Sequence, residues 1–179
     1  MSDLVSYIKD VFPDKYQIWL EQLPPESQDI FNNVILNTTF YDVYYGHVEP
    51  LNVLGKVCFD NDTIKAAYEC GKYGSQKSLK GIYSIFLKIP SVDFVVKRVS
   101  MITATYLQGV RIDVSRNDKD LLLLDINGYS KDEFIMIVNM AGWIDNLMSI
   151  VSKKPYKVYY EEVILPNNGY FNRISIKFL

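Results

Sequence analysis

The chain is short of the residues that build metal centres and disulfide frameworks. Its 179 residues hold one histidine, His47, and two cysteines, Cys58 and Cys70. Those three side chains cannot complete a tetrahedral Cys/His zinc site. Two thiols make no framework and read as reduced side chains of a cytoplasmic protein. An excess of either charge is lacking too. Nineteen Lys and Arg face 21 Asp and Glu, a net charge of −2, which argues against a general nucleic-acid binder with a basic surface. No uninterrupted apolar run of about 18 residues occurs, so no membrane span is expected. The first ten residues lack the apolar core of a signal peptide, and neither Met1-Ser2 nor the closing Lys177-Phe178-Leu179 carries a lipidation signal. Internal repeats, low-complexity tracts and Gly/Ser linkers are absent. So are a serine-centred elbow, a phosphate-cradling glycine loop and a His-Glu-x-x-His pair. Without a catalytic constellation, the chain is not expected to be an enzyme.

What is present is apolar and aromatic. Hydrophobic residues make up 49% of the chain, with 14 Tyr, 9 Phe and 2 Trp. A chain of this length buries about 70% of its unfolded surface and can form one domain without staples. Pro24-Pro25 separates an amphipathic stretch, Leu4 to Leu23 broken at Pro13, from a helix expected over Glu26 to Asn37. The first stretch should pack on the body through Val11, Tyr16, Trp19, Leu20 and Leu23. Thr39 to Tyr45, rich in β-branched and aromatic residues, reads as a strand or an extended linker. His47, Glu49 and Pro50 read as a connector. Helices are then expected over Leu51 to Phe59 and Thr63 to Leu79, the latter capped by Asp60-Asn61-Asp62. Ile82 to Lys88 is apolar, and Val92 to Gln108 reads as a long helix ended by Gly109.

The period then changes from helical to alternating. Val110, Ile112 and Val114 alternate with polar residues, and Leu121 to Ile126 answers them as a second strand. Asp113 and Asp125, across this hairpin, are expected to face solvent. Lys131 to Val151 is the strongest helix. Lys157 to Leu165 and Tyr170 to Phe178, joined by Asn167-Asn168-Gly169, form a second hairpin. Helices followed by antiparallel strands give an α+β fold: a helical N-terminal half packed on a twisted four-stranded antiparallel sheet.

Three constellations stand out. Ala67, Gly71, Gly74 and Ser78 recur on one helix face. Two glycines inside a helix cost about 1 kcal/mol each, so a close backbone or a ligand should offset them. Lys131 to Val151 carries one apolar stripe of Phe134, Ile137, Ala141, Ile144, Met148 and Val151, and a second of Met136, Met140, Trp143, Leu147 and Ile150. Asn139, Gly142, Asn146 and Ser149 form a narrow polar strip between them. Two stripes exceed what one sheet face covers, so one should meet the sheet and the other helices or a second subunit. Arg98 lies among the apolar residues of Ile82 to Gln108, either holding an anionic head group or reaching to water. His47 is either incidental or a base or haem ligand. Asp60, Asp62 and Glu69 could seed a metal site, but capping explains the first two. No metal and no cofactor is expected.

The ordered series Tyr44-Tyr45-Gly46, Pro50-Leu51, Gly71 to Gly81-Ile82-Tyr83, Tyr106-Leu107-Gln108-Gly109-Val110 and Ala141-Gly142-Trp143-Ile144, followed by two closing strands, resembles the haem-NO-binding / 4-vinyl-reductase / TRAPP-subunit superfamily. Within it the chain looks closest to a bacterial branch of cytosolic proteins. The likeness covers roughly 39–178, leaving 1–38 as a helical extension of a single domain over 1–179. It implies a pocket between helices and a twisted sheet, binding haem, aromatic or hydrocarbon-like effectors or acyl chains, or else a dimeric scaffold. The chain departs from that pattern. It has no Tyr-x-Ser-x-Arg haem motif, no cysteine after Cys70, and no motif that marks Cys70 for acylation. The resemblance therefore carries a fold and a pocket, not a cofactor.

The expectation is a non-enzymatic domain that binds a small apolar or amphipathic ligand, as a cytoplasmic homodimer. Tyr83, Phe86, Ile102, Tyr106 and Trp143 would be pocket walls, with Arg98 or His47 as polar anchor. The alternative is a dimeric protein–protein scaffold whose pocket is filled by its own side chains and whose interface is the small-residue helix.

Overall fold

The computed structural model describes residues 1–36, 39–80, 91–94, 96, 98, 107–167 and 169–179. The order among them is α1 (Ser2–Val11), a 3-10 turn (Pro13–Lys15), α2 (Tyr16–Glu21), α3 (Pro25–Asn32), a π-helical turn (Tyr44–Val48), α4 (Glu49–Cys58), α5 (Thr63–Lys80), β1 (Arg111–Asn117), β2 (Leu121–Asn127), a 3-10 turn (Lys131–Glu133), α6 (Phe134–Val151), β3 (Tyr156–Ile164) and β4 (Tyr170–Phe178). This is the expected α+β architecture, with helices in the N-terminal half and one antiparallel sheet of order β1-β2-β4-β3.

The sheet presents one apolar face. Leu124 lies opposite Ile174 and Leu122 opposite Ile176, and with Ile112 and Ile126 these residues are almost fully buried. Directly opposed residues point to the same side, so α6 meets a continuous branched aliphatic layer. Its buried Ile137, Ala141, Ile144, Met148 and Val151 belong to the same core. The Tyr156 hydroxyl donates to the Asp145 carbonyl at 2.8 Å and fixes the end of α6 to β3. The helix starts at a capping box: the Ser130 amide donates to the Glu133 carboxylate at 2.6 Å. Gly109 takes a φ of +78°, while much of the helix it is expected to end, 95, 97 and 99–106, lies outside the described residues.

The N-terminal stretch packs as expected around Trp19, which is fully buried and donates its indole N–H to the Pro50 carbonyl at 3.0 Å. Val11 departs from that expectation, being 47% exposed. The helix expected to reach Asn37 ends at Asn32. Asn33 leaves the helical region, and its side-chain amide donates back to the Asp29 carbonyl at 2.7 Å. That contact satisfies a carbonyl the next turn would have used. The segment read as a strand or linker followed by a connector also differs. The Asp42 carboxylate accepts the Tyr45 amide at 3.0 Å, a cap that turns Tyr44–Val48 into a π-helical turn leading straight into α4. Local capping overrode the β-prone composition.

Two further readings change. Asp125 lies on the outer face of the sheet, alternating with the buried Leu124 and Ile126, but it is only partly exposed because Arg173 binds both its oxygens at 2.7 and 3.1 Å. Burial opposes ionisation there, yet the bonds from Arg173 and Ser115 prevail and hold the carboxyl below its usual range. Lys131–Val151 is long and apolar enough, by length and composition, to cross a membrane, although no uninterrupted run announces it. More than half of it is buried within the fold.

Candidate functional site

The seam between α5 and α6 organises the site. The polar strip of α6 is where it meets α5. Asn139 donates to the Ala67 carbonyl at 2.9 Å, and Asn146 donates to the Ser75 hydroxyl at 3.1 Å. Between these bonds the two backbones touch. A Cβ on Gly71 would stand 1.9 Å from the Asn139 carbonyl oxygen, and one on Gly142 would stand 2.0 Å from that of Tyr68. The small-residue face of α5 is thus used within the chain. Gly71 meets α6, and Gly74 meets Asp3 of α1 at ordinary contact distance.

At the end of this seam α1, the π-helical turn, α4, α5 and α6 surround a cavity of about 100 Å³. Its walls are Met1, Asp3, Leu4, His47, Leu51, Cys70, Gly71, Gly74, Asn139 and Trp143. Each element delivers its residue for a local reason. The capped π-helical turn presents His47. The backbone contact at Gly71 fixes Asn139 and Trp143 over Cys70. The Met1 amino group lies 2.9 Å from His47 Nε2.

Burial dominates the electrostatics. It pushes the His47 imidazole well below its ordinary value, helped by the neighbouring amino group. It lowers the Met1 amine, against the attraction of Asp3. It raises the Asp3 carboxyl against the pull of that amine. The Cys70 thiol is pushed up to about 12. Burial biases each of these four groups toward its neutral form. Cys70, protonated at neutral pH, is no nucleophile.

The residues expected to bind ligand are distributed unevenly. His47 and Trp143 come together in the cavity. Arg98 is elsewhere. Its guanidinium stacks 3.8 Å over the Phe94 ring and donates to the Phe94 carbonyl at 3.4 Å. Tyr83, Phe86, Ile102 and Tyr106 lie outside the described residues. Sequence reasoning missed Asp3, Leu4 and Leu51. Asn139 had a signal, its place in the polar strip. Asp60, Asp62 and Glu69 form no metal cluster, and no group of three such ligands occurs among the described residues. The Asp62 carboxylate instead caps α5, accepting the Lys65 amide at 2.9 Å. Two buried polar side chains were not foreseen either. Among the described residues, the Asn172 amide, on the core face of β4, and the Tyr129 hydroxyl have no hydrogen-bond partner. A wider, open groove of about 350 Å³ runs past Val92, Asn117, Lys119 and Lys154. Two of its lining side chains are engaged: Lys154 donates to the Lys119 carbonyl at 3.1 Å, and Asp118 pairs with the neighbouring Arg116 at 2.5 Å.

No protein-family model and no curated protein matches the sequence. Solved structures do match the fold. A Cs H-NOX variant carrying 4-cyano-L-phenylalanine superposes with a TM-score of 0.70 at 16% identity, over 99% of this chain and 93% of that one. A Tt H-NOX variant gives 0.68 at 15% identity, over 99% and 92%. The Fe(II) unliganded H-NOX protein from K. algicida gives 0.68 at 9% identity, over 99% and 94%. The chain therefore has the haem-NO-binding fold. The 4-vinyl-reductase and TRAPP parts of the resemblance rest on the sequence motifs alone.

That fold raises the question of a haem, and the described residues do not fit one. The cavity of about 100 Å³ is smaller than the roughly 150 Å³ that takes a benzene. The seam that borders it is closed by backbone contact at Gly71. Haem iron takes a His, Cys, Met or Tyr ligand. Here the one imidazole faces the Met1 amine through Nε2, and the Cys70 thiol is held protonated. Residues 81–106 contain neither histidine nor cysteine, and their Tyr83, Met101 and Tyr106 lie outside the described residues.

Proposed function

We propose that the chain is a non-enzymatic sensory domain on a haem-NO-binding fold, and that it binds a small amphipathic molecule in the cavity between α1, the π-helical turn, α5 and α6. The observation that carries this is the lining. Leu4, Leu51 and Trp143 supply apolar wall, and the Met1 amine, His47, Asn139 and Asp3 supply polar groups. Convergent polar groups in an otherwise apolar enclosure are the usual form of a ligand site. A volume of about 100 Å³ limits the ligand to a few heavy atoms. Larger apolar ligands would need the walls expected from Tyr83, Phe86, Ile102 and Tyr106. Two free thiols, Cys58 and Cys70, accord with a cytoplasmic location.

The smallness of the cavity favours a second reading, a protein–protein scaffold whose pocket is filled by its own Met1 and Trp143. The interface first expected for it, the small-residue face of α5, is taken up by α6 and α1.

One experiment separates the two readings. Native and denaturing mass spectra of the purified protein are compared, with an absorption spectrum recorded beside them. The sensory reading expects a small mass that leaves on denaturation and is lost from His47→Ala and Trp143→Ala. A bare chain in every spectrum, with Trp143→Ala altering stability alone, would move the assignment to the scaffold. A porphyrin absorption band that survives in wild type would overturn the cavity assignment.

A further inference from the structure

We propose that the outer edge of β3 pairs with the same edge of a second copy, joining two four-stranded sheets into one of eight strands. This does not rest on the cavity. The sheet has two edges, β1 and β3. The register of β1 slips between Val114 and Arg116, the kind of irregularity that spoils pairing at an edge. β3 is regular. Its nine residues run in unbroken one-to-one register with β4 and contain no proline. Among the described residues, no backbone group bonds to the outer side of β3. Tyr159 is 50% exposed there and Ile164 is 67% exposed.

The charges on β3 select the partner and the register. Val158 and Tyr160 lie opposite Ile176 and Ile174 and so face the core. Lys157, Tyr159 and Glu161 alternate with them on the other face. Opposed residues of an antiparallel pair share a face. If the helices of both copies are to lie on one side of a continuous sheet, odd-numbered positions must oppose odd-numbered ones. A two-fold axis through Tyr159 then sets Lys157 opposite Glu161 of the second copy, and the symmetry makes that pair twice. An axis at Val158 or Tyr160 pairs neither charge with its opposite, and an axis at Glu161 sets like charges face to face. Opposite charges stabilise a cross-strand pair and like charges destabilise it. The strand is therefore complementary to itself in one register.

The test uses sedimentation of the full chain over a range of concentrations, with circular dichroism confirming that each variant is folded. Wild type is expected to dimerise. Lys157→Glu alone and Glu161→Lys alone each place like charges opposite one another twice, and each should be monomeric where wild type is dimeric. The double change K157E/E161K restores the opposite pairs and should restore the dimer. Wild type that stays monomeric at its highest soluble concentration would overturn the proposal and leave Lys157 and Glu161 as guards of an unpaired edge. A dimer indifferent to either single reversal would also overturn it, by placing the interface elsewhere. So would a folded double variant that remains monomeric.

Discussion

Adding one methyl group at Gly142 puts the helix seam to a sharp test. The new Cβ would lie 2.0 Å from the Tyr68 carbonyl oxygen, where ordinary contact begins at 3.4 Å. Neither side can give by rotating a side chain, because both are helix backbone. The two helices must move apart by more than an ångström locally. Overpacking a core costs about 1–3 kcal/mol, and a clash of backbone with backbone belongs at the upper end. The separation also stretches the Asn139–Ala67 and Asn146–Ser75 hydrogen bonds, and weakening both without breaking them costs about 1 kcal/mol together. Alanine returns about 1 kcal/mol in helix propensity. The net expectation for Gly142→Ala is a loss of about 3 kcal/mol, and a domain of this size loses roughly 2–4 °C of melting temperature per kcal/mol. Thermal unfolding followed by circular dichroism should therefore show a drop of about 6–12 °C. Gly74→Ala is the internal control. Its Cβ would meet Asp3 at 3.4 Å, so propensity dominates and the change should be neutral or stabilising by up to about 1 kcal/mol. Adding Gly71→Ala to Gly142→Ala should cost less than the two apart, because one separation relieves both clashes. A Gly142→Ala protein that melts within about 2 °C of wild type, or above it, would refute the seam.

Other outcomes follow from the cavity. In the unfolded chain His47 takes a proton near pH 6.5, but in the fold burial holds its affinity well below that. The unfolded state therefore binds more protons as pH falls below about 6.5, and stability declines from there down to the folded value. Urea midpoints measured from pH 7.5 to 5 should show that slope in wild type and a shallower one in His47→Gln, where the Met1 amine, also lowered by burial, still contributes; equal slopes would place His47 in water. Cys70, pushed up to about 12 and buried, should resist a thiol reagent in native protein and react on unfolding. Cys58, half-buried, should react first, and native labelling of both at similar rates would contradict the packing at the cavity.

The sequence exposed the architecture because its period was unambiguous. Alternation in Val110–Val114, the pairing of the two closing strands and the apolar surface of α6 each rest on one-dimensional pattern, and each appears where expected. Element ends were less legible. Asn33 and Asp42 act through single side-chain hydrogen bonds, which shift a boundary by several residues without changing hydrophobic pattern. The site was legible only in part. Trp143 and His47 are neighbours in the fold though 96 positions separate them in the chain. Nothing local marks Asp3 or Leu51 as their companions. The glycines of α5 announced a close approach but not its partner, because Asn139 reaches Gly71 through a carbonyl that every residue possesses.

Fold and chemistry point in different directions here, and the seam explains how both can hold. A likeness over 99% of the chain at 16% identity or less preserves the path of the backbone while leaving nearly every side chain free to change. A fold hosts many functions, and function is decided by the site built on it. In this chain two glycines bring α5 and α6 into backbone contact and leave about 100 Å³ beside them. The groups around that space are driven toward neutrality by burial. Convergent polar groups beside apolar walls are the usual form of a ligand site. Under the proposed function, a ligand that hydrogen-bonds His47 would compete with the Met1 amine 2.9 Å away and loosen the start of α1 from the π-helical turn. A ligand shifts a fold only by such a difference in contacts between states.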